Sequence, residues 1–263
     1  MQTMDSNKKQ ITIVKVGGAV VEDGQRLAGL LDRFCRIEGR KILVHGGGRS
    51  ATRMAESLGI ESRMAGGRRI TDSDMLRVVT MVYGGLVNKN IVAQLQARGA
   101  NALGLTGADM DVIRSRKRPV TDIDYGFVGD VERVDANRLA GLVETGVTPV
   151  MAPLTHDGRG NILNTNADTI AAETAKALAG SYDVTLVYCF EKSGVLANPD
   201  DDSSVIRHIN RRTYGEYKSQ GVIAGGMIPK LDNAFSAIAA GVAKVAITAD
   251  TDLVAENGTI ISE

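Results

Sequence analysis

Ile11-Thr-Ile-Val-Lys-Val-Gly-Gly18 sets a β-branched run directly against a bare glycine turn. β-Branched side chains suit extended backbone and a glycine pair interrupts it, so the segment reads as a buried strand opening into a turn. The pattern recurs at once, with Lys41-Ile-Leu-Val44 entering His45-Gly46-Gly47-Gly48. Between the two, Leu27, Leu30, Leu31, Phe34 and Ile37 keep helical spacing, and Gly39 closes the helix. Residues 49–58 read as the next helix. Strand, glycine turn, helix and strand in that order predict an α/β fold with a largely parallel sheet.

The reading extends outward along the chain. A long helical pattern covers residues 72–98, with Gly84-Gly85 as a kink point, and residues 101–106 and 147–151 read as buried strands. Residues 113–134 alternate polar and apolar around Gly126 and Gly129, which predicts hairpin strands at a sheet margin. Thr155-His-Asp-Gly-Arg-Gly160 carries the Asp-Gly signal of a tight turn. An Ala-rich helix is expected over 167–178, near-continuous apolar strands over 183–189 and 243–249, and a helix over 229–240. Pro229 falls in the first turn of that last helix, where its missing N–H costs little. The least strand-like stretch lies near Gly180, which divides an N-terminal lobe, residues 1–180, from a C-terminal lobe, residues 181–263.

Composition excludes several classes. With 263 residues, 43 % hydrophobic and 24 % charged, the chain has room for one large α/β domain or two fused lobes. Lys+Arg and Asp+Glu both number 31, so no basic excess favours a nucleic-acid partner. No apolar run approaches the roughly 20 residues that cross a bilayer, so no membrane partner is expected. The opening MQTMDSNKKQ resembles neither a signal nor a transit peptide, which predicts a cytoplasmic location. Cys35 and Cys189 lie in apolar runs and read as buried reduced thiols.

Four features fall just past the carboxyl ends of strands, where parallel α/β sheets bind ligands. Lys15 before Gly17-Gly18 either projects an ammonium into a crevice or snorkels from an edge strand. Gly46-Gly47-Gly48 before a helix reads either as an anion cradle built from its N–H groups, the favoured reading, or as a flexible turn, and the run is neither a Walker A loop nor a dinucleotide fingerprint; His45 reads as structural. Leu163-Asn-Thr-Asn-Ala-Asp168 supplies helix caps and, beyond them, surplus amide and carboxylate groups for polar recognition or for orienting a cation. Lys230, after Gly225-Gly226, sits in a helix first turn that the dipole makes unfavourable for a cation unless a bound anion compensates; otherwise it is a plain surface lysine. Two lysines, a glycine cradle and one carboxylate are the minimal equipment of phosphoryl transfer, which needs positioning and charge neutralisation more than covalent chemistry.

Val14-Lys-Val-Gly-Gly18, Val44-His-Gly-Gly-Gly48, Arg69-Ile-Thr71, the 163–168 element, Ser193-Gly194-Val195 and Gly226-Met-Ile-Pro-Lys230, in this order, resemble the amino-acid kinase family over nearly the whole chain. The likeness is greatest to the branch that phosphorylates N-acylated glutamate in arginine biosynthesis. It implies a three-layer α/β/α sandwich with a largely parallel central sheet, using ATP and Mg²⁺ to phosphorylate the side-chain carboxylate of N-acetyl-L-glutamate. It further implies that Lys15 and Lys230 flank the γ-phosphoryl group, with Asp168 holding both ammonium groups. Gly47 and Gly48 would face phosphate and substrate, with Gly18 in the same cradle. Arg69 would pair with the substrate α-carboxylate and Asn164 with its α-substituents. Glu191, Lys192, Ser193, Gly194, Val195 and Leu196, with Val222, Ile223 and Ala224, would hold the nucleotide. Mg²⁺ would sit on phosphate oxygens and water, so no protein metal ligand is expected.

The N-terminal lobe would then bind acyl-glutamate and dimerise, and the C-terminal lobe bind ATP. Two positions depart from the family pattern. Phe190-Glu191-Lys192 stand where a small residue and an aspartate are usual. Arg68 stands beside Arg69 where an apolar residue is common, and either accommodates a second carboxylate, as in an N-succinyl substrate, or is solvated. Arginine-inhibited hexameric members resemble this chain but carry a longer helix before the first strand, so a homodimer with little arginine feedback is expected. An aminoadipate-type kinase is the enzymatic alternative and an amino-acid sensor the non-enzymatic one. Intact Lys15, Asp168 and Lys230 speak for an enzyme.

Overall fold

The computed structural model describes residues 8–263. Residues 1–7, the start of the short polar segment behind the dimer expectation, lie outside the described residues. β1 (Lys9–Val16) runs into α1 (Gly18–Glu22) and α2 (Gly24–Arg36), and β2 (Arg40–His45) into α3 (Gly48–Ser57). A small hairpin follows, β3 (Met64–Ala65) with β4 (Arg68–Arg69). α4 (Ser73–Val79), a π-helical stretch (Thr80–Val87) and α5 (Asn88–Gln96) form one uninterrupted helical run. Then come β5 (Ala102–Leu105), β6 (Ile113–Lys117), β7 (Gly129–Val134), α6 (Ala136–Glu144), β8 (Thr148–Met151), β9 (Leu154–His156), β10 (Ile162–Asn164) and α7 (Ala167–Leu178). The chain ends with β11 (Tyr182–Phe190), β12 (His208–Ile209), α8 (Arg211–Ser219), α9 (Met227–Ala239), β13 (Lys244–Ala249) and β14 (Thr259–Ile261).

Eight strands build the main sheet in the order β12-β14-β13-β11-β1-β2-β8-β5. Pairing is parallel except between β13 and β14, so the six strands from β13 to β5 point the same way. Successive side chains of a strand face opposite sides, and each face of this sheet is buried. Ile11 and Ile13 of β1 join Leu186 and Tyr188 of β11 in one core, covered by α6, α7 and α9. Val14 and Val16 join Val187 and Cys189 in a second core, covered by α2, α3 and the 73–96 helical run. The result is the three-layer α/β/α sandwich with a largely parallel sheet that the sequence predicts.

Lys15 follows from the same alternation. It shares the face of Ile11 and Ile13 and is buried at the sheet's carboxyl end, so the edge-strand reading does not hold: β1 lies between β11 and β2.

The hairpin expected over 113–134 is present as antiparallel β6 and β7 at the margin of a sheet, a separate four-stranded one in the order β10-β9-β6-β7. Gly84-Gly85, the expected kink point of the long helix, lies inside its π-helical stretch, where the backbone is wound more widely than in an α-helix. The Asp-Gly turn is present between antiparallel β9 and β10, with Asp157 Oδ1 accepting from the N–H groups of Arg159 at 2.8 Å and Asn161 at 3.1 Å. The division near Gly180 falls between α7 and β11, yet β11 pairs with the whole length of β1, so both parts share one sheet.

Candidate active site

β1 and β2 are adjacent and parallel, so both of their glycine turns open at the same end of the sheet. Each turn is anchored by one more rung of ladder: Gly17 N–H donates to the Cys189 carbonyl at 2.8 Å and Gly46 N–H to the Val16 carbonyl at 3.1 Å. A Cβ added to Gly18 would lie 3.9 Å from the nitrogens of both Gly47 and Gly48, so the three backbone nitrogens converge. Gly48 begins α3, whose first N–H groups take no partner from the helix and carry its positive partial charge.

Beside this cradle lies a cavity of about 180 Å³ lined by Gly47, Gly48, Arg68, Arg69, Tyr83 and Asn164, among others. It gathers all four residues predicted for acyl-glutamate. Arg69 is buried. Its Nη2 donates to the Gly48 carbonyl at 2.8 Å and Thr52 Oγ1 at 2.9 Å, and its Nη1 to the Ser62 hydroxyl. Asn164 Nδ2 donates to Thr71 Oγ1 at 2.9 Å. Arg68 is half-buried on the same wall and has no ion pair or side-chain hydrogen bond among the described residues. Burial, and then the charge of Arg118, push its pKa down.

Asp168 sits in the first turn of α7, where Asn166 is the cap: Asn166 Oδ1 accepts from the N–H groups of Asp168 at 2.8 Å and Thr169 at 3.1 Å. The Asp168 carboxylate is therefore not spent on capping. Lys15 Nζ lies 2.8 Å from Oδ1, as an ion pair off hydrogen-bond geometry, and Lys230 Nζ donates to Oδ2 at 3.0 Å. Their side chains are only 10 %, 12 % and 17 % exposed for Lys15, Lys230 and Asp168. Burial alone would raise the carboxyl pKa, but the two ammonium groups outweigh it and hold Asp168 well below the usual range. Burial lowers the pKa of Lys230, Lys15 pushes the same way, and Asp168 opposes both. One carboxylate thus holds two cations in a dry site with a net positive charge.

A cavity of about 620 Å³ has Asp168, Gly226 and Pro229 on its lining and shares Gly67, Arg68 and Asn166 with the first. A further cavity, of about 260 Å³, is lined by Phe190, Met227 and six residues predicted for nucleotide, Lys192, Gly194, Val195, Leu196, Val222 and Ala224. Ile223, also predicted for nucleotide, has its side chain 1 % exposed and packed in the core, so only its backbone faces this region. Glu191 and Ser193 do not line this cavity either; the turn after β11 points Glu191 toward Arg49, 3.8 Å away. Lys192 is held by Asp202 at 2.7 Å.

Sequence reasoning missed Tyr188. It is buried, with its ring 5.1 Å from Lys230 Nζ and its hydroxyl donating to the Asp168 main-chain carbonyl at 3.3 Å. In an apolar strand it reads as core; only its register opposite Lys15 could have marked it. Among the described residues no three His, Cys, Asp or Glu side chains converge as an ion site, and no helix is long and apolar enough to cross a membrane.

Residues 10–249 match the model of the amino acid kinase family. The chain is 65 % identical over 256 residues to a Phocaeicola vulgatus protein named acetylglutamate kinase, covering 97 % of this chain and 100 % of the relative. A Bacteroides fragilis protein of the same name is 64 % identical, covering 97 % of this chain and 98 % of the relative. Among solved structures, smu.665 from Streptococcus mutans superposes with a TM-score of 0.79 at 29 % identity, over 96 % of this chain and 98 % of that one. With the sheet order, the glycine turns and this full-length likeness in agreement, the chain belongs to the amino acid kinase family.

Proposed function

We propose that the chain transfers the γ-phosphoryl group of ATP to the side-chain carboxylate of N-acetyl-L-glutamate, giving an acyl phosphate in the second step of arginine biosynthesis. The observation that carries this reading is Asp168 bridging Lys15 and Lys230, with Lys15 on the strand that opens into the glycine cradle. The likeness to relatives named acetylglutamate kinase supports the choice of acceptor.

The acceptor carboxylate is ionised at neutral pH, so it needs no general base. Its oxygen forms a bond to the γ-phosphorus as the bond to the β–γ bridging oxygen breaks, and ADP carries away the electron pair. Lys15 and Lys230 oppose the charge on the transferring group from two sides, in a site where low polarity magnifies their effect. Gly47 and Gly48 offer N–H groups to phosphate and acceptor, with Gly18 completing the cradle. Arg69 already directs four of its five N–H donors to Gly48, Thr52, Ser62 and the Met75 sulfur, which leaves Nε–H for the α-carboxylate and holds the charged fork rigid beside it. Asn164 keeps its amide oxygen for the acyl-amino group. Lys192, Gly194, Val195, Leu196, Val222 and Ala224 hold the nucleotide, with Glu191 and Ser193 at its border. Bound Mg²⁺ would supply neutralisation of phosphate charge. A site whose one buried carboxylate is already committed to two lysines fits an ion held by phosphate oxygens and water.

A homodimer and a cytoplasmic location belong to the same proposal. β5 ends the main sheet with Leu103 exposed, and Met81 and Leu86 are exposed on the 73–96 helical run, an apolar margin that suits a second copy.

One observation favours a second acceptor. Arg68 lies on the wall of the acyl-glutamate cavity with no ion pair among the described residues, where it suits the extra carboxylate of N-succinyl-L-glutamate. Coupled ADP release with N-acetyl-L-glutamate, N-succinyl-L-glutamate, glutamate, aspartate and UMP tests both readings. Release with an acyl-glutamate and none with the other three is expected; tight binding of acyl-glutamate without ADP would instead mark a sensor. Preference for the succinyl acceptor, lost at least tenfold in Arg68→Gln while acetyl turnover is retained, selects the second reading.

A further inference from the structure

The Lys230 ammonium has more around it than its carboxylate partner. Its Nζ lies 5.1 Å from the centroid of the Tyr188 ring and 5.8 Å from that of Phe190, both within the range at which an aromatic face attracts a cation. The two rings are on the same side of β11, two residues apart. Tyr188 is the register partner of Lys15 across β1, so one strand pair presents an ammonium and a ring side by side. Its hydroxyl donates to the main-chain carbonyl of Asp168 at 3.3 Å, tying the first turn of α7 to β11. Phe190 also lines the nucleotide cavity, and a Cβ added to Gly17 would lie 3.3 Å from the Phe190 Cβ, which seats that residue against the first glycine turn.

Resting on the phosphoryl-transfer reading above, we propose that Tyr188 and Phe190 are positioning residues whose ring faces seat the Lys230 ammonium between Asp168 and the nucleotide cavity without neutralising it. Lysine is a long, flexible side chain that loses solvation on burial, so a dry ammonium must be favoured by something. A second carboxylate would do so but would cancel the positive charge that phosphate needs. Ring faces attract the cation and leave its charge in place. The charged groups acting on Lys230 are Asp168 on α7, Lys15 on β1 and Glu191 after β11. Burial lowers the pKa of Lys230, and a ring face within cation–π range favours the charged form.

The test is a set of variants, Tyr188→Leu, Tyr188→Phe and Phe190→Leu, each checked for folding by circular dichroism. The Lys230 titration is followed by NMR of [ε-¹³C]lysine in ligand-free protein and assigned with Lys230→Arg. Removing either ring is expected to move the Lys230 titration to lower pH, and Tyr188→Phe to leave it in place. In turnover, Tyr188→Leu and Phe190→Leu should lower kcat about three- to thirtyfold with the KM for acyl-glutamate nearly unchanged, and Tyr188→Phe should restore most of the loss. A Lys230 titration unmoved by both ring deletions overturns the proposal. So does a Tyr188→Phe variant as slow as Tyr188→Leu, because the hydroxyl would then be the active part. The NMR reading needs no substrate, so absence of turnover in the wild type would overturn the assigned reaction and leave the ring seat to be decided on its own.

Discussion

Asn88 Nδ2 donates to His45 Nε2 at 3.1 Å and to the Val150 carbonyl at 2.9 Å, clamping the residue that introduces the triple-glycine turn. The other ring nitrogen, Nδ1, donates to the Gly46 carbonyl at 2.7 Å. These partners define a neutral imidazole, with Nδ1 protonated and Nε2 accepting. His45 is completely buried, and that burial pushes its pKa down from 6.5 to about 4.

A pH dependence of stability follows. Between pH 6.5 and about 4 the unfolded chain binds a proton at His45 that the folded chain refuses. Stability contributed by this group is therefore complete above pH 6.5 and is lost as pH falls through the window, by roughly 3 kcal/mol in all. Urea unfolding at half-unit steps of pH measures it. His45→Gln should be less stable at pH 7.5 yet show a flatter slope across the window; an unchanged slope would sink the assignment.

Gly104 on β5 guards the same clamp. A Cβ there would fall 1.9 Å from Asn88 Oδ1 and 2.7 Å from Lys89 Nζ, and Asn88 is only 1 % exposed. Lys89 can swing away, but Asn88 can move only by giving up His45 and Val150. Gly104→Ala is expected to lose about 2–4 kcal/mol in thermal or urea unfolding, from overpacking plus unpaired buried polar groups. Gly141→Ala is the control. That glycine is exposed on α6, and a Cβ added there would meet nothing within 4 Å, so the change should stabilise the protein by about 0.5–1 kcal/mol.

What is legible in the sequence is what neighbouring residues decide among themselves. The alternation of Ile11 to Val16 is local, and it carries the strand; the burial of Lys15 depends on β11 and β2 flanking β1. The glycine turns are equally local, and they mark the site. Strands β6 and β7 are readable as a hairpin, but their sheet is completed by β9 and β10 later in the chain, a pairing no local pattern encodes. α8 escapes a reading by periodicity because it buries none of its residues and contains Gly215, so it has no apolar stripe. Its start is set instead by a reciprocal cap between Asn210 and Thr213. Tyr188 and Ile223 defeat sequence reasoning for one reason: whether a side chain meets a ligand, a cation or the core depends on the elements packed over it, here α7 and α9.

Buried charge serves catalysis and folding differently in this site. Lys15 and Lys230 share Asp168 alone, at 2.8 and 3.0 Å. Removing one lysine leaves the carboxylate with a partner, whereas removing the carboxylate leaves two ammonium groups facing each other in a dry site. Lys15→Ala and Lys230→Ala should each lower kcat by about 10²–10⁴-fold, because each ammonium opposes charge that develops in the transition state. Their unfolding free energies should change by less than that of Asp168→Asn, for which a loss of about 3 kcal/mol is expected together with a comparable loss of turnover. The pH profile adds an independent check. Asp168 stays ionised at every pH at which the protein functions, since its pKa is held far below the usual range, so it gives no acid limb. Lys230, with its pKa lowered by burial, loses its proton at lower pH than an ordinary lysine, and kcat should decline as pH rises through that point. Steady-state kinetics and urea unfolding on the three variants decide the matter: near-normal turnover in either lysine variant removes its catalytic role, and an Asp168→Asn protein as stable as the wild type shows that the two ammonium groups do not depend on that carboxylate.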